Sequence, residues 1–219
     1  MIAPPPWTLT GDGLILIAHF PEPFVRAQGF LAPYQQTAYR GWIGTVMLVD
    51  YKTSAVGPYR ELLFIPGLFR FGDTTSFSIS KIYVSSEDSV WNGRQNWGIP
   101  KEFADFSFET NADGSRSITV SQNGQSFLSL RAKPWGPRFP ITTKLMPGFR
   151  VMQERLDRPG YEPPGLLLTR PSASGAARLS TLSGVETDIR FFPDLSQIKP
   201  LAVLSVENFR MTFPVPEAR

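Results

Sequence analysis

The stretch Asn96-Trp97-Gly98-Ile99-Pro100-Lys101-Glu102-Phe103 puts one of the chain's six lysines directly after a proline and among apolar side chains. An amine in that setting has chemistry open to it. Desolvation weakens a lysine's hold on its proton, and the neutral amine attacks carbonyl carbon to give an imine. Trp97, Ile99 and Phe103 are the side chains that would exclude water, and Pro100 stiffens the backbone just before the amine. The plainer reading is a solvated lysine after a helix C-terminus, where positive charge is favourable in any case. Local sequence leaves both open.

Other chemistries find few partners. His19 is the only histidine and lies in a nearly continuous apolar run, and cysteine is absent. Serine–histidine–aspartate relays, thiol nucleophiles and histidine or thiolate metal centres therefore lose their components, and His19 reads as a packed or edge-strand residue. No acidic cluster marks a carboxylate metal site, so no metal is expected. There is no phosphate-binding loop and no three-glycine dinucleotide motif, since Thr10-Gly11-Asp12-Gly13-Leu14 has two glycines only; no cofactor is expected. Paired carboxylates for glycoside cleavage are defined by a separation that exists only in the fold.

The elements that must position Lys101 are mostly strands. Apolar or alternating runs at 13–20, 41–51, 59–69, 75–84, 103–110, 115–122, 125–132, 165–170 and 201–213 are rich in β-branched and aromatic residues. Asn123-Gly124 supplies the positive φ angles of a tight hairpin turn, and Asp113-Gly114 offers a similar one, so an antiparallel meander is expected over 103–133. The best helix signal is 86–97: Ser85 or Ser86 can cap it, Glu87 and Asp88 suit its positive end, and Gly98 with Pro100 stops it. Gly93 weakens that helix and marks close packing. The proline-rich stretch 132–164 reads as a long surface excursion, a lid or assembly arm, with a short helix around Phe149–Leu156; Ser172–Arg178 reads as a mobile turn.

A chain of 219 residues with 42% hydrophobic content suits a single domain, 1–219, with a sizeable core. The formal charge is +3, but lysine and arginine are interspersed with acidic residues, and without a basic block nucleic acid is not an expected partner. The first twenty residues have no basic start, and their apolar run is too short for a bilayer, so neither a signal peptide nor a membrane span is read. With cysteine absent, a cytoplasmic location is expected.

Two segments read together add a resemblance. Gly57, Tyr59 and Glu61, followed by Tyr83, Gly93, Arg94, Pro100 and Lys101, are similar in order and spacing to the motifs of the acetoacetate decarboxylase family over residues 57–103. The resemblance implies a mainly β fold in which antiparallel curved sheets form a cone or barrel around a buried pocket, with few short helices and assembly as a homo-oligomer. It implies that Lys101 corresponds to the Schiff-base lysine and Glu61 to the pocket glutamate; Tyr59, Arg94, Gln95, Trp97 and Glu102 are read as lining the substrate pocket, with Arg94 either a carboxylate contact or a structural salt bridge at the helix end. Lysine activation by desolvation belongs to that family, and the spacing alone does not establish it. The ligand implied is a small keto acid or carbonyl compound, and the reaction a decarboxylation, an aldol cleavage or condensation, or a dehydration.

This chain departs from the family pattern at several positions. Glu102 stands where the decarboxylases have a second lysine, and Gln95 where they have a glutamate. The amino-terminal arginine that helps hold the substrate carboxylate has no counterpart in 7–16, and an upstream pocket glutamate falls on Val46. These changes point to a less anionic, more apolar ligand. A non-catalytic pocket for an apolar small molecule is the alternative reading, and an assembly scaffold is a third.

Overall fold

The computed structural model describes residues 1–145, 148–156 and 165–219. Along the chain the elements are β1 (Trp7–His19), α1 (Glu22–Gln28), α2 (Pro33–Gln36), β2 (Tyr39–Gly41), β3 (Ile43–Thr53), β4 (Tyr59–Ile65), β5 (Leu68–Phe71), β6 (Thr74–Phe77), β7 (Lys81–Val84), α3 (Glu87–Trp97), β8 (Lys101–Phe103), β9 (Asp105–Thr110), β10 (Arg116–Gln122), β11 (Gln125–Thr142), β12 (Val151–Glu154), β13 (Leu166–Thr169), β14 (Ser172–Thr187), β15 (Ala202–Phe213) and β16 (Glu217–Ala218). Ten strands form a curled half-barrel in the order β8-β7-β4-β3-β1-β15-β14-β11-β10-β9, and six form a second sheet, β16-β13-β12-β6-β5-β2. The fold is mainly β with few short helices, as the sequence leads one to expect.

Alternation in the strands serves two cores, one on each face of the same sheet. In β3 and β4, Val46, Leu48, Leu62 and Phe64 enter a cluster with Ile118, Val120 and Leu128 from the far end of the curled sheet. Their neighbours Val49, Tyr51, Tyr59, Leu63 and Ile65 enter a second cluster with Trp7, Leu9, Ile82, Val84, Trp97 and Ile99. A period of two puts successive side chains on opposite faces, so a strand covered on both sides reads as nearly continuous hydrophobicity.

All pairings in the large sheet are antiparallel except that between β7 and β8, which α3 connects. Parallel neighbours need such a crossover, and this one lays α3 over the second cluster's face. Ser86 caps α3 by accepting from the Ser89 N–H, and Gly98 ends it at φ 66° with its N–H on the Arg94 carbonyl. The expected meander is present as β9-β10-β11, with Asn123 and Gly124 at φ 52° and 77°.

Three local expectations are corrected. Much of 132–164 is strand: β11 continues to Thr142 and pairs with β14, while β10 stops pairing at Ala132. Its distal half is therefore an edge, and a register shift between Trp135 and Phe139 takes up Gly136-Pro137-Arg138; both are places where a sheet accepts proline. Val151–Glu154, read as helical, is β12, paired with β13 along its length and with Phe77 of β6; a short apolar run does not distinguish the two states by its own pattern. Ser172–Arg178 begins β14 and is no turn. Its small residues fit close strand packing, since a Cβ on Gly175 would lie 3.0 Å from the Phe209 Cβ. The proline-rich positions 157–164 lie outside the described residues.

Candidate active site

Strand register decides which side chains share a face. Met47, Leu63, Ile82 and Lys101 form one row across β3, β4, β7 and β8, and Val49, Glu61, Val84 and Phe103 form the next. Tyr51 and Tyr59 pair one step further along β3 and β4. The Lys101 stem runs diagonally over β7 toward Glu61. It passes beneath α3 at Gly93, where a Cβ would come within 2.6 Å of the lysine Cδ and 2.9 Å of Cε. The helix-weakening glycine is thus the slot through which the stem passes.

At its end the amine meets three oxygen groups. Nζ lies 3.0 Å from Glu61 Oε2, 3.0 Å from Ser89 Oγ and 3.4 Å from the Tyr59 hydroxyl. An ammonium has three donors, and here each has an acceptor. Tyr51 donates to the other Glu61 oxygen at 3.1 Å and packs on Tyr59 with ring centroids 4.6 Å apart. Lys101 and Glu61 are 5% and 4% exposed, so both charges are effectively out of bulk water.

Desolvation by itself would favour a neutral amine. Burial works against the Lys101 ammonium, but the Glu61 carboxylate and then Tyr59 outweigh it, with the hydrogen bonds to both, and hold the pKa above the ordinary lysine value. Burial also pushes Tyr59 up to about 12, and it keeps Tyr51, next to the Glu61 charge, well above its ordinary value. The resting site is an ion pair bracketed by neutral hydroxyls.

Sequence-expected neighbours divide accordingly. Tyr59 and Glu61 are at the amine. Trp97 is buried close by as packing: its Nε1 donates to the Pro214 carbonyl at 2.8 Å, and its ring meets Trp7 and Phe213 edge-on. Glu102 follows Lys101 and so points to the opposite face, where it takes the Lys81 ammonium at 2.6 Å. Arg94 is exposed and Gln95 half-buried, and neither is among the amine's hydrogen-bonding partners. Phe103 is 37% exposed and does not shield the site. Val46 faces the first cluster; its neighbour Met47 is the residue on the amine's face. A surface cleft of about 400 Å³ borders Pro100, Lys81 and Glu102 on the reverse side of β8.

Sequence reasoning missed Ser89 and Tyr51. Ser89 lies one helical turn before Gly93, and so on the same face of α3. Tyr51 sits two places after Val49 in an alternating strand and opposite Tyr59. Both signals become readable only once the helix is known to cover that face.

Comparison with known proteins agrees with this architecture. The family model for acetoacetate decarboxylase matches residues 31–208. The acetoacetate decarboxylase of Legionella pneumophila subsp. pneumophila str. Philadelphia 1 superposes with a TM-score of 0.77 at 14% identity, over 99% of this chain and 88% of that one. The enduracididine biosynthesis enzyme MppR, in complex with pyruvate, gives a TM-score of 0.66 at 15% identity, over 100% and 91% of the two chains. At these identities the likeness is one of fold. Protein NEOXANTHIN-DEFICIENT 1 of Oryza sativa subsp. japonica is 29% identical over 126 residues, 58% of this chain; the match spans only 41% of that longer protein. With the matched span running from the loop before α2 into β15, across both sheets and through Glu61 and Lys101, the chain belongs to the acetoacetate decarboxylase family.

Proposed function

We propose that the protein is a lyase that forms an imine between Lys101 and a small or moderately apolar keto acid or other carbonyl compound. The observation that carries this reading is a buried amine 3.0 Å from a buried carboxylate, on the covered face of β8. Proton transfer from Lys101 to Glu61 gives the neutral amine, which adds to the carbonyl carbon. Glu61 then returns the proton to the departing hydroxyl, so water leaves and a protonated imine remains beside the regenerated carboxylate. The imine draws electrons from the neighbouring carbon, and a bond to that carbon breaks to give an enamine. Loss of carbon dioxide makes the reaction a decarboxylation and loss of an aldehyde a retro-aldol cleavage, with condensation its reverse; in a dehydration Glu61 takes the α-proton to give the enamine, which then expels the β-hydroxyl as water with that proton.

A raised lysine pKa is compatible with this sequence, because proton and acceptor already share one hydrogen bond. An incoming carbonyl compound that displaces water weakens the ion pair's solvation and favours the neutral pair. The enduracididine biosynthesis enzyme has also been captured with the condensation product of pyruvate and imidazole 4-carboxaldehyde, which supports carbon–carbon chemistry for this fold. The lysine supplies the electron-withdrawing nitrogen itself, so the reading needs no cofactor. Work as a cytoplasmic homo-oligomer is part of the same proposal.

The test is reductive trapping. Sodium borohydride with a panel of small carbonyl compounds should add the mass of a reduced imine at Lys101, located by peptide mass spectrometry. A panel that labels surface lysines and leaves Lys101 untouched would refute the reading and favour a pocket that only holds an apolar molecule.

A further inference from the structure

Resting on the imine reading, we infer that the site accepts an uncharged carbonyl compound, one with no carboxylate beside the reacting carbon. The argument is a count of buried charges. At rest the site holds one positive charge on Lys101 and one negative charge on Glu61, 3.0 Å apart. After an uncharged ketone has added and lost water, it holds one positive charge on the iminium nitrogen and one negative charge on Glu61. The balance is Lys101 ammonium plus ketone giving iminium plus water, and the buried charge is unchanged throughout.

A keto acid adds a second negative charge with nothing to meet it. Among the described residues, Lys101 is the only lysine or arginine that is buried. Arg60, next to Glu61 in sequence, points to the other face, where its guanidinium donates to the Phe106 carbonyl and lies over the Phe108 ring. Lys81 is held by Glu102 on the reverse side of β8. Hydrophobic side chains pack on the amine's cluster as partly buried neighbours, among them Met47, Val56, Val90, Phe209 and Met211. A carboxylate there would be unpaired and poorly solvated, and it would face the Glu61 carboxylate. The chemistry this favours is carbon–carbon cleavage or dehydration of a β-hydroxy ketone or aldehyde. Glu61 takes the β-hydroxyl proton as the bond breaks toward the iminium, and an aldehyde departs from the enamine.

The experiment compares two probes of matched shape, acetoacetamide and acetoacetate, at equal concentration with borohydride. The Lys101 adduct is quantified by mass and normalised to labelling of Nα-acetyl-lysine. Acetoacetamide should label Lys101 at least about tenfold more than acetoacetate, with the acetone-derived adduct counted toward the latter. Glu61→Gln removes the opposing charge and should shrink that ratio by about tenfold, whatever happens to the absolute rate. Equal or preferential labelling by acetoacetate, or a ratio unmoved in Glu61→Gln, overturns the inference and leaves the imine reading standing. Labelling of Nα-acetyl-lysine by both probes with none at Lys101 overturns both.

Discussion

Two lysine–glutamate pairs sit back to back across β7 and β8. Lys81 and Glu102 meet at 2.6 Å on one face, and Lys101 and Glu61 at 3.0 Å on the other. The shorter contact is the less consequential. Glu102 is 41% exposed, and water competes for its charge, whereas the side chains of the inner pair are 6% and 5% exposed. With Lys81 only 14% exposed the outer pair is partly buried, and water screens it from the Glu102 side, while the inner one couples its members so tightly that removing either leaves a stranded charge. The partners differ as well. Both amines lie over aromatic rings, Lys81 over Phe30 and Tyr83 and Lys101 over Tyr59, but Lys101 also has the hydroxyls of Ser89 and Tyr59 in addition to its carboxylate. Burial with polar supports turns an ordinary ion pair into a proton donor and acceptor poised over one hydrogen bond.

Substitutions can break that contrast directly. Lys101→Arg should abolish the borohydride adduct, since a guanidinium forms no imine, whereas Lys81→Arg should leave it intact; peptide mass spectrometry reads both. Glu61→Ala should lower folding stability by about 3 kcal/mol or more, and Glu102→Ala by less than about 1 kcal/mol, in urea titrations. Equal losses would mean that the two pairs are energetically alike.

Finer changes sharpen the comparison. Gly93→Ala places a methyl group against the Lys101 stem and should slow imine formation about tenfold or more, as small misplacements of reacting groups do. Its melting temperature should also fall, because overpacking against the buried stem costs about 1–3 kcal/mol and alanine's better helix propensity returns at most about 1 kcal/mol. Ser89→Ala removes one acceptor from the ammonium and should lower the Lys101 pKa, read from the pH dependence of its acetylation by acetic anhydride. The Lys101 pKa is raised in the folded state, so the inner pair's stabilisation is complete below the ordinary value of 10.5 and is lost as pH climbs through the folded value. Lys101→Met should therefore show a flatter alkaline stability profile than the parent protein, while Lys81→Met should not.

Lys101, Glu61 and Tyr59 were legible because strand chemistry, a rigid proline and the Gly-x-Tyr-x-Glu spacing are local properties. Gly93 was legible as an anomaly, a helix-weakening residue that needed a neighbour to explain it. Arg94 and Gln95 are not among the amine's hydrogen-bonding partners, because a motif fixes order along the chain and not the side of a helix that is covered. Glu102 was ambiguous for the same reason, until its place in β8 sent it to the far face. Ser89 and Tyr51 carried no local mark, because a serine in a first helical turn and a tyrosine in a strand are ordinary residues.

The sequence by itself determined the β architecture, the capped helix before Lys101 and the lack of cysteine, all of which follow from propensity, turn residues and composition. Tertiary structure alone decided that the amine lies among three oxygens, that Glu102 points to the opposite face of β8 and pairs with Lys81, and that proline-rich and small-residue stretches are strands. Charge state and strand pairing depend on groups far apart in the chain, and only the closed sheet with α3 laid across it brings those groups within hydrogen-bonding distance.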